Sequence, residues 1–453
     1  MPSTLGTRRG GSASHGMETT AAHPLRTGWI RWLICSLLFF ATTLNYVDRQ
    51  TIAILKPTLS GEFHWNEIDY ANVVLCFQTA YAVGYITFGR VIDKLGARLG
   101  YSIAVFIWAC AQVFCAFATS LVGFSIMLFA LGLGESGNFP AALKAVAEWF
   151  PQRERALANG VFNAGTNIGA ILAPLIVPVI ALAIGWRSAF VATGSLSLIW
   201  LILWVSFYRQ PREHKSISPA ELAYIESDKE VVEKSVPWVS LLTVKETWAY
   251  AFGKFLIDPV WYFYLFWLPP FFVREFHLDL RSFGAPLMII YILADFGSVA
   301  GGWLSSNLIN RGMSVNAARK LTMLLCAACV LPVMFALYVH SLWLAVGIVG
   351  LATAAHQAFS ANLMTLPSDL FPKAQVGSVS GIGGTAGAIG GMLMAWLTGQ
   401  VLSNTGSYAP LLTAAAVIYM VAVLVIHGLT PALRPVRISE LSEGGKKDDA
   451  SHR

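Results

Sequence analysis

Twelve apolar stretches of bilayer-spanning length, arranged as six, a polar break and six more, predict an all-α membrane protein of twelve transmembrane helices in two pseudo-symmetric six-helix bundles. Composition agrees. Of 453 residues, 56% are hydrophobic and only 12% are charged, with a mean hydropathy of +0.60, whereas soluble domains carry about 25% charged residues. A third observation is a repeat. Trp149-Phe150-Pro151, before the fifth stretch, matches Leu370-Phe371-Pro372, before the eleventh, 221 positions later. The same offset pairs Gly160 with Gly381, Ile168 with Ile389, Gly169 with Gly390 and Glu135 with His356. Parallel repeats of this kind place a site at their interface.

A helix crosses the hydrocarbon core with about 20 apolar residues. Stretches of that length lie at 30–56, 70–91, 99–118, 121–144, 157–182 and 187–208, then at 249–273, 283–309, 319–339, 342–366, 376–402 and 409–430. The predicted organisation is a disordered cytoplasmic N-terminus (1–28), an N-terminal bundle (29–208), a cytoplasmic linker (209–248), a C-terminal bundle (249–430) and a cytoplasmic tail (431–453). Arg8-Arg9 stands far from the first apolar run and no small-residue cleavage site follows it, so the first helix reads as a retained span. In the linker, Ser218-Pro219-Ala220-Glu221 has an N-cap serine, proline at the first helical position and glutamate three residues after the cap. It predicts a short helix lying on the membrane surface. The six cysteines, Cys35, Cys76, Cys110, Cys115, Cys326 and Cys329, fall in apolar segments. They read as small buried hydrophobes, with no disulfide framework and no metal spacing.

Lysine and arginine in the loops set orientation. With the N-terminus inside, the cytoplasmic side carries Arg26, Arg31, Arg90, Lys94, Arg98, Lys144, Arg153, Arg155, the basic residues of the linker, Arg311, Arg319, Lys320 and Lys373, besides those of both termini. The outer side has only Arg49, Lys56, Arg187, Arg274 and Arg281. Both termini are therefore expected in the cytoplasm, with the chain multi-pass in a plasma membrane, as in a bacterial inner membrane. The formal charge of +6 is spread over short loops, which argues against a nucleic-acid partner. The partner expected on these grounds is lipid, with no cofactor, no metal and a monomeric chain.

Charge within the first stretch is the strongest local signal. Asn45-Tyr46-Val47-Asp48-Arg49 sits in an apolar run, where a charged side chain costs on the order of 3 kcal/mol at the bilayer centre. Arg49 is the candidate for holding an anionic substrate. The alternative is an arginine that snorkels to the interface with Asp48 as its local partner. Glu135 lies mid-span in the fourth stretch with no basic residue within a helical turn. A desolvated carboxyl favours its protonated form, which suits proton coupling; a permanently neutral structural acid is the alternative. Asp48 is the second coupling candidate, since adjacent helix positions point about 100° apart.

Polar stripes outline a cavity. Gln78, Tyr81 and Tyr85 recur at i, i+3 and i+7 in the second stretch. Asn163 and Asn167 share the fifth with Gly165 and Gly169; the glycines favour close helix contact and leave the asparagines to look inward. Trp261, Tyr262 and Tyr264 in the seventh offer aromatic faces and hydroxyls, and Gln357, Ser360 and Asn362 lie in the tenth. Lys254 and Asp258, at i and i+4, read as an ion pair within one helix rather than a substrate site. Asp295 and His356 remain open between structure and function.

The loop Gly89-Arg90-Val91-Ile92-Asp93-Lys94-Leu95-Gly96-Ala97-Arg98 resembles the signature loop of the major facilitator superfamily, with a degraded counterpart from Gly302 to Lys320. Asp93 with Arg90, Lys94 and Arg98 then forms a gating cluster that locks one conformation and releases in the other. Further blocks narrow the resemblance. Asn45 to Arg49, Gly134-Glu135-Ser136-Gly137-Asn138-Phe139-Pro140, Gly253-Lys254-Phe255, Asp258-Pro259-Val260-Trp261 and Ala355-His356-Gln357-Ala358 are similar to the anion:cation symporter family, and to its hexuronate transporter branch. The resemblance implies proton-coupled uptake of glucuronate or galacturonate. It implies carboxylate binding at Arg49 with Tyr81 beside it, and proton coupling at Glu135; Tyr46 is a further candidate for substrate contact. Carriers of hexonates, glucarate or aromatic acids share several of these blocks. A drug or cation exporter of the same fold would favour an acidic cavity without a central arginine. A membrane enzyme would need a nucleophile–base or metal constellation at recognisable spacing, which the sequence does not offer.

Overall fold

The computed structural model describes residues 28–227, 238–282, 284–371, 373–434 and 436. Among the described residues, twelve helices are long and apolar enough to cross a membrane. They are α1 (Ile30–Phe63), α2 (Glu67–Ile92), α3 (Lys94–Cys115), α4 (Leu121–Trp149), α5 (Leu157–Ile184) and α6 (Trp186–Phe207) in the N half, then α7 (Lys245–Phe276), α8 (Gly284–Asn310), α9 (Val315–Tyr338), α10 (Leu342–Leu370), α11 (Gln375–Thr405) and α12 (Ala409–Leu429) in the C half. Each predicted stretch is found, longer at most ends. The first runs on through Pro57 to Phe63, as membrane helices tolerate proline where neighbours re-satisfy the backbone. Large apolar side chains such as Phe106, Phe117, Ile202, Val299 and Leu424 stand exposed on the outside, as lipid-facing surfaces require. Cys329 is among the exposed residues and Cys76 and Cys110 are half-buried, so the uniform burial expected of the cysteines does not hold.

Short-range chemistry sets the joints. Asn66 caps α2 by accepting from the Asp69 N–H at 2.9 Å, and Asp69 answers by accepting from the Asn66 N–H at 3.0 Å. The chain kinks at Gly96, two residues after the start of α3, with φ 78° and ψ 167°, a conformation that suits only glycine. Within α4 the α-helical ladder breaks at Ser136–Gly137, just after Glu135. On α5, a Cβ at Gly165 or Gly169 would collide with the Phe39 or Thr43 carbonyl of α1. The two helices therefore meet backbone to backbone.

The linker helix Pro219–Glu226 forms with Ser218 Oγ accepting from the Glu221 N–H at 3.1 Å. Its glutamate does not reach back to complete a capping box. Instead Glu221 is buried at the base of α1, where it accepts from the Arg31 N–H at 3.2 Å and pairs with Arg31 Nη1 at 3.6 Å. Arg31 Nε bonds Glu154 at 3.0 Å, and the Tyr224 hydroxyl donates to the same carboxylate at 2.7 Å. The helix is thus docked on the N half by charge.

The halves meet along α2 and α11, α5 and α8, and α1 and α7. The meeting is tight at the end bearing the 64–66 turn. There Tyr70 donates to the Phe266 carbonyl at 2.8 Å, Phe77 packs on Phe266 with ring centroids 5.7 Å apart, and a Cβ on Gly399 would strike Ala71. Towards the opposite end, Gly160 and Gly381 face open space. A cavity between the halves lies below the closed end.

Candidate functional site: a charged cavity between the halves

The cavity encloses about 250 Å³ and is walled by both halves. From the N half come Tyr46, Arg49, Tyr81, Tyr85, Asn163 and Asn167. Trp261, Gln357 and Ser360 come from the C half. With Tyr262, also of the C half, these ten are the sequence-predicted substrate residues that the structure brings together.

Arg49 is 2% exposed, and its hydrogen bonds stay within its own half. Its Nε bonds Glu135 Oε2 at 2.9 Å, and Nη2 bonds Asn45 Oδ1 at 3.2 Å, one helical turn back. The guanidinium carbon lies 4.7 Å from the Tyr46 ring centroid, 4.8 Å from Tyr81 and 5.4 Å from Phe77. Three aromatic faces therefore hold the cation by cation–π attraction. The partner of Arg49 is Glu135, 86 positions away. This excludes the snorkelling alternative with Asp48 as partner, and it supplies Glu135 with the base that its own helix lacks. Glu135 Oε1 has no hydrogen-bond partner among the described residues.

Asp48 points elsewhere, as its position one step along the helix requires. Ser197 of α6 donates to Asp48 Oδ2 at 2.8 Å, while Gln112 of α3 donates to Thr193 at 2.9 Å and to the Asp48 carbonyl at 3.3 Å. It is buried behind the cavity wall.

Two predicted residues fall off the wall. Gln78 shares the stripe of Tyr81 and Tyr85 but lies nearer the closed end, where a Cβ on Gly391 of α11 would come within 3.5 Å of its carboxamide carbon. Tyr264 is fully buried inside the C half. Asn362 is also absent from the wall; it donates to the Gly301 carbonyl at 3.0 Å and accepts from Arg319 at 3.3 Å. Of the gating cluster, Arg90 and Lys94 are exposed, and Arg98 Nη2 donates to the Val205 carbonyl at 2.9 Å. The Asp93 side chain lies outside what the structure describes.

Other residues join the wall without having been singled out for it. Lys254 and Asp258 form the expected intrahelical pair, at 2.7 Å, and both line the cavity. So do Phe139, Thr166, Ser298, His356 and Met364. His356 stacks on Trp261 at 5.1 Å and its Nδ1 lies 2.6 Å from the Tyr419 hydroxyl. The offset pairing of Glu135 with His356 was the available signal, since it put two ionisable groups at matching places in the two halves.

Residues 38–395 match the model of the Major Facilitator Superfamily. The chain is 32% identical over 408 residues to a hexuronate transporter of Escherichia coli (strain K12), covering 88% of this chain and 93% of that one. It is 32% identical over 304 residues to a galacturonate transporter of Dickeya chrysanthemi, covering 65% and 88%. Among solved structures, an inward-facing, unoccupied bacterial homologue of the human lysosomal transporter Spinster superposes with a TM-score of 0.68 at 20% identity, covering 92% of this chain and 97% of that one.

Proposed function

Because the chain belongs to the major facilitator superfamily, we propose that it imports a sugar acid of the hexuronate class by proton symport through alternating access. One observation carries the reading: Arg49, tied to Glu135, stands on the wall of a cavity that both halves enclose. The names of two relatives supply the substrate class. The substrate leaves chemically unchanged.

A guanidinium is a planar fork that accepts a carboxylate by two parallel hydrogen bonds. A substrate carboxylate entering the cavity competes with Glu135 for that fork. Released into a low-dielectric interior, Glu135 takes up a proton rather than remain charged and unpaired. Oε1 is the oxygen open to that proton. Tyr46 and Tyr81 hold the guanidinium by their faces while its carboxylate partner changes. Substrate and proton therefore load together, and the filled carrier can change face without an unpaired charge in its centre. Asp48, next to Arg49 on α1, is the second proton acceptor. Asn163, Asn167, Tyr85, Gln357 and Ser360 meet the hydroxyls, and Trp261 meets the C–H face of the sugar.

Residues 29–208 and 249–430 rock as units about this site, with 209–248 between them. Both termini lie in the cytoplasm of a bacterial inner membrane. The closed end then faces outward, and the cavity opens inward. The test is uptake by proteoliposomes under an imposed pH gradient, against a panel of sugar and aromatic acids. Gradient-dependent accumulation of galacturonate or glucuronate is expected. Accumulation of an aromatic acid or an organic cation in their place, or indifference to the gradient, overturns the reading.

A further inference from the structure

We propose that the Lys254–Asp258 pair is the hydroxyl-reading anchor of the cavity and sets its preference for polyhydroxylated acids, an inference that rests on the sugar-acid reading above. The two side chains sit one turn apart on α7, 2.7 Å from each other, in the wall that the C half contributes. They are nearly but not wholly buried, with side-chain exposures of 8% and 17%. Arg49 and Lys254 line one cavity, so the two cations border the same space.

A buried ion pair adds little net stability, because desolvating both ions offsets their attraction and apolar residues of equal volume serve as well. Its chemistry fits recognition better. The ammonium has three donors, of which Asp258 engages one, and the carboxylate accepts at two oxygens. A hydroxyl both donates and accepts. Two hydroxyls on neighbouring carbons therefore match the pair, one accepting from Lys254 and the other donating to Asp258. The pair is neutral overall, so it does not draw in a second carboxylate. It complements the uncharged end of a molecule whose acid end lies at Arg49. An aromatic acid satisfies Arg49 equally well but strips water from the pair and returns no hydrogen bonds. A site built on hydrogen bonds to hydroxyls rejects analogues lacking them far more strongly than an apolar pocket rejects a missing methylene. The facing helix respects the arrangement: a Cβ on Gly387 of α11 would collide with Asp258 Oδ2.

The test measures binding of galacturonate and its 2-, 3- and 4-deoxy analogues to the purified full-length protein. It uses the wild type, Lys254→Met/Asp258→Leu and Lys254→Gln/Asp258→Asn. Both double variants remove the two charges together, so neither strands an unpaired ion. The wild type is expected to bind at least one deoxy acid about tenfold or more weakly than the parent. In the Met/Leu variant that difference disappears, because the parent weakens while the deoxy acid does not. In the Gln/Asn variant it shrinks. Whichever variant folds decides the matter: discrimination equal to wild type in a folded variant overturns the inference. If the wild type binds galacturonate but the variants discriminate unchanged, only this inference falls. If the wild type binds none of the acids, the sugar-acid reading falls with it.

Discussion

The two walls of the cavity carry one ion pair each, built differently. In the N half, Arg49 on α1 reaches Glu135 on α4, so the pair bridges two helices. In the C half, Lys254 and Asp258 share one turn of α7. A bridge between helices changes the packing when it opens. A pair within one helix keeps its geometry whichever way the halves rock. On the proposals above the difference is a division of labour, in which the first pair would couple binding to movement and the second would only recognise.

Arg49→Ala should break that comparison most severely. It removes the carboxylate anchor and leaves Glu135 buried without its cation, a loss of about 3–5 kcal/mol for a buried pair with one partner deleted. Uptake should fall by about 100-fold or more, at about 1.4 kcal/mol per factor of ten. Residual uptake within about tenfold of wild type in proteoliposomes would place the anchor elsewhere. Glu135→Gln comes next. It keeps the shape and a hydrogen bond to Arg49 but cannot titrate. Exchange of labelled substrate across the membrane should persist, while accumulation against a gradient falls to equilibrium; uphill accumulation at the wild-type level refutes the coupling role. Asp48→Asn, behind the wall, should lower accumulation less than Glu135→Gln in the same assay.

How much of this was legible from the chain follows from the kind of information each feature needs. The helices were legible because lipid imposes length and apolarity on every span. The ionisable residues Arg49 and Glu135 stood out because nothing local explains a charge there. Their pairing was not legible, since it joins residues 86 positions apart and depends on how α4 breaks at Ser136–Gly137. Periodicity reports direction around a helix but not depth along a cavity. That is why Tyr81 and Tyr85 reach the space while Gln78, on the same stripe, lies nearer the closed end. Lys254 and Asp258 were read correctly as a pair, yet their place on the wall depends on the position of α7 relative to α1, which no spacing within α7 encodes. Glu221 shows the same limit from the other side: its capping position was legible, but its use by Arg31 was not.

Gly399→Leu tests the movement that the bridging pair is meant to drive. Gly399 of α11 lies against Ala71 of α2 at the closed end. Overfilling a tight contact costs about 1–3 kcal/mol, and here the cost falls on one conformation only. The population should shift about tenfold or more towards the state open at that end. A cysteine placed near Ala71 should then react faster with an impermeant thiol reagent added from outside. Unchanged labelling would mean that α2 and α11 do not part in transport.

Tyr70→Phe is the mildest of these changes and the sharpest probe of the same seam. It deletes one hydroxyl, which donates to the Phe266 carbonyl across the halves at 2.8 Å, and leaves the ring against Trp267 at 5.5 Å. A single neutral hydrogen bond contributes about 1 kcal/mol net. If the bond exists only while this end is closed, its loss raises the opposite state about fivefold and leaves the binding wall untouched. The labelling rate should rise by that factor while galacturonate affinity, corrected for the shifted population, stays constant. A fall in intrinsic affinity instead would show that the seam and the binding wall are one cooperative unit, and the separation of coupling from recognition would then fail at its weakest joint.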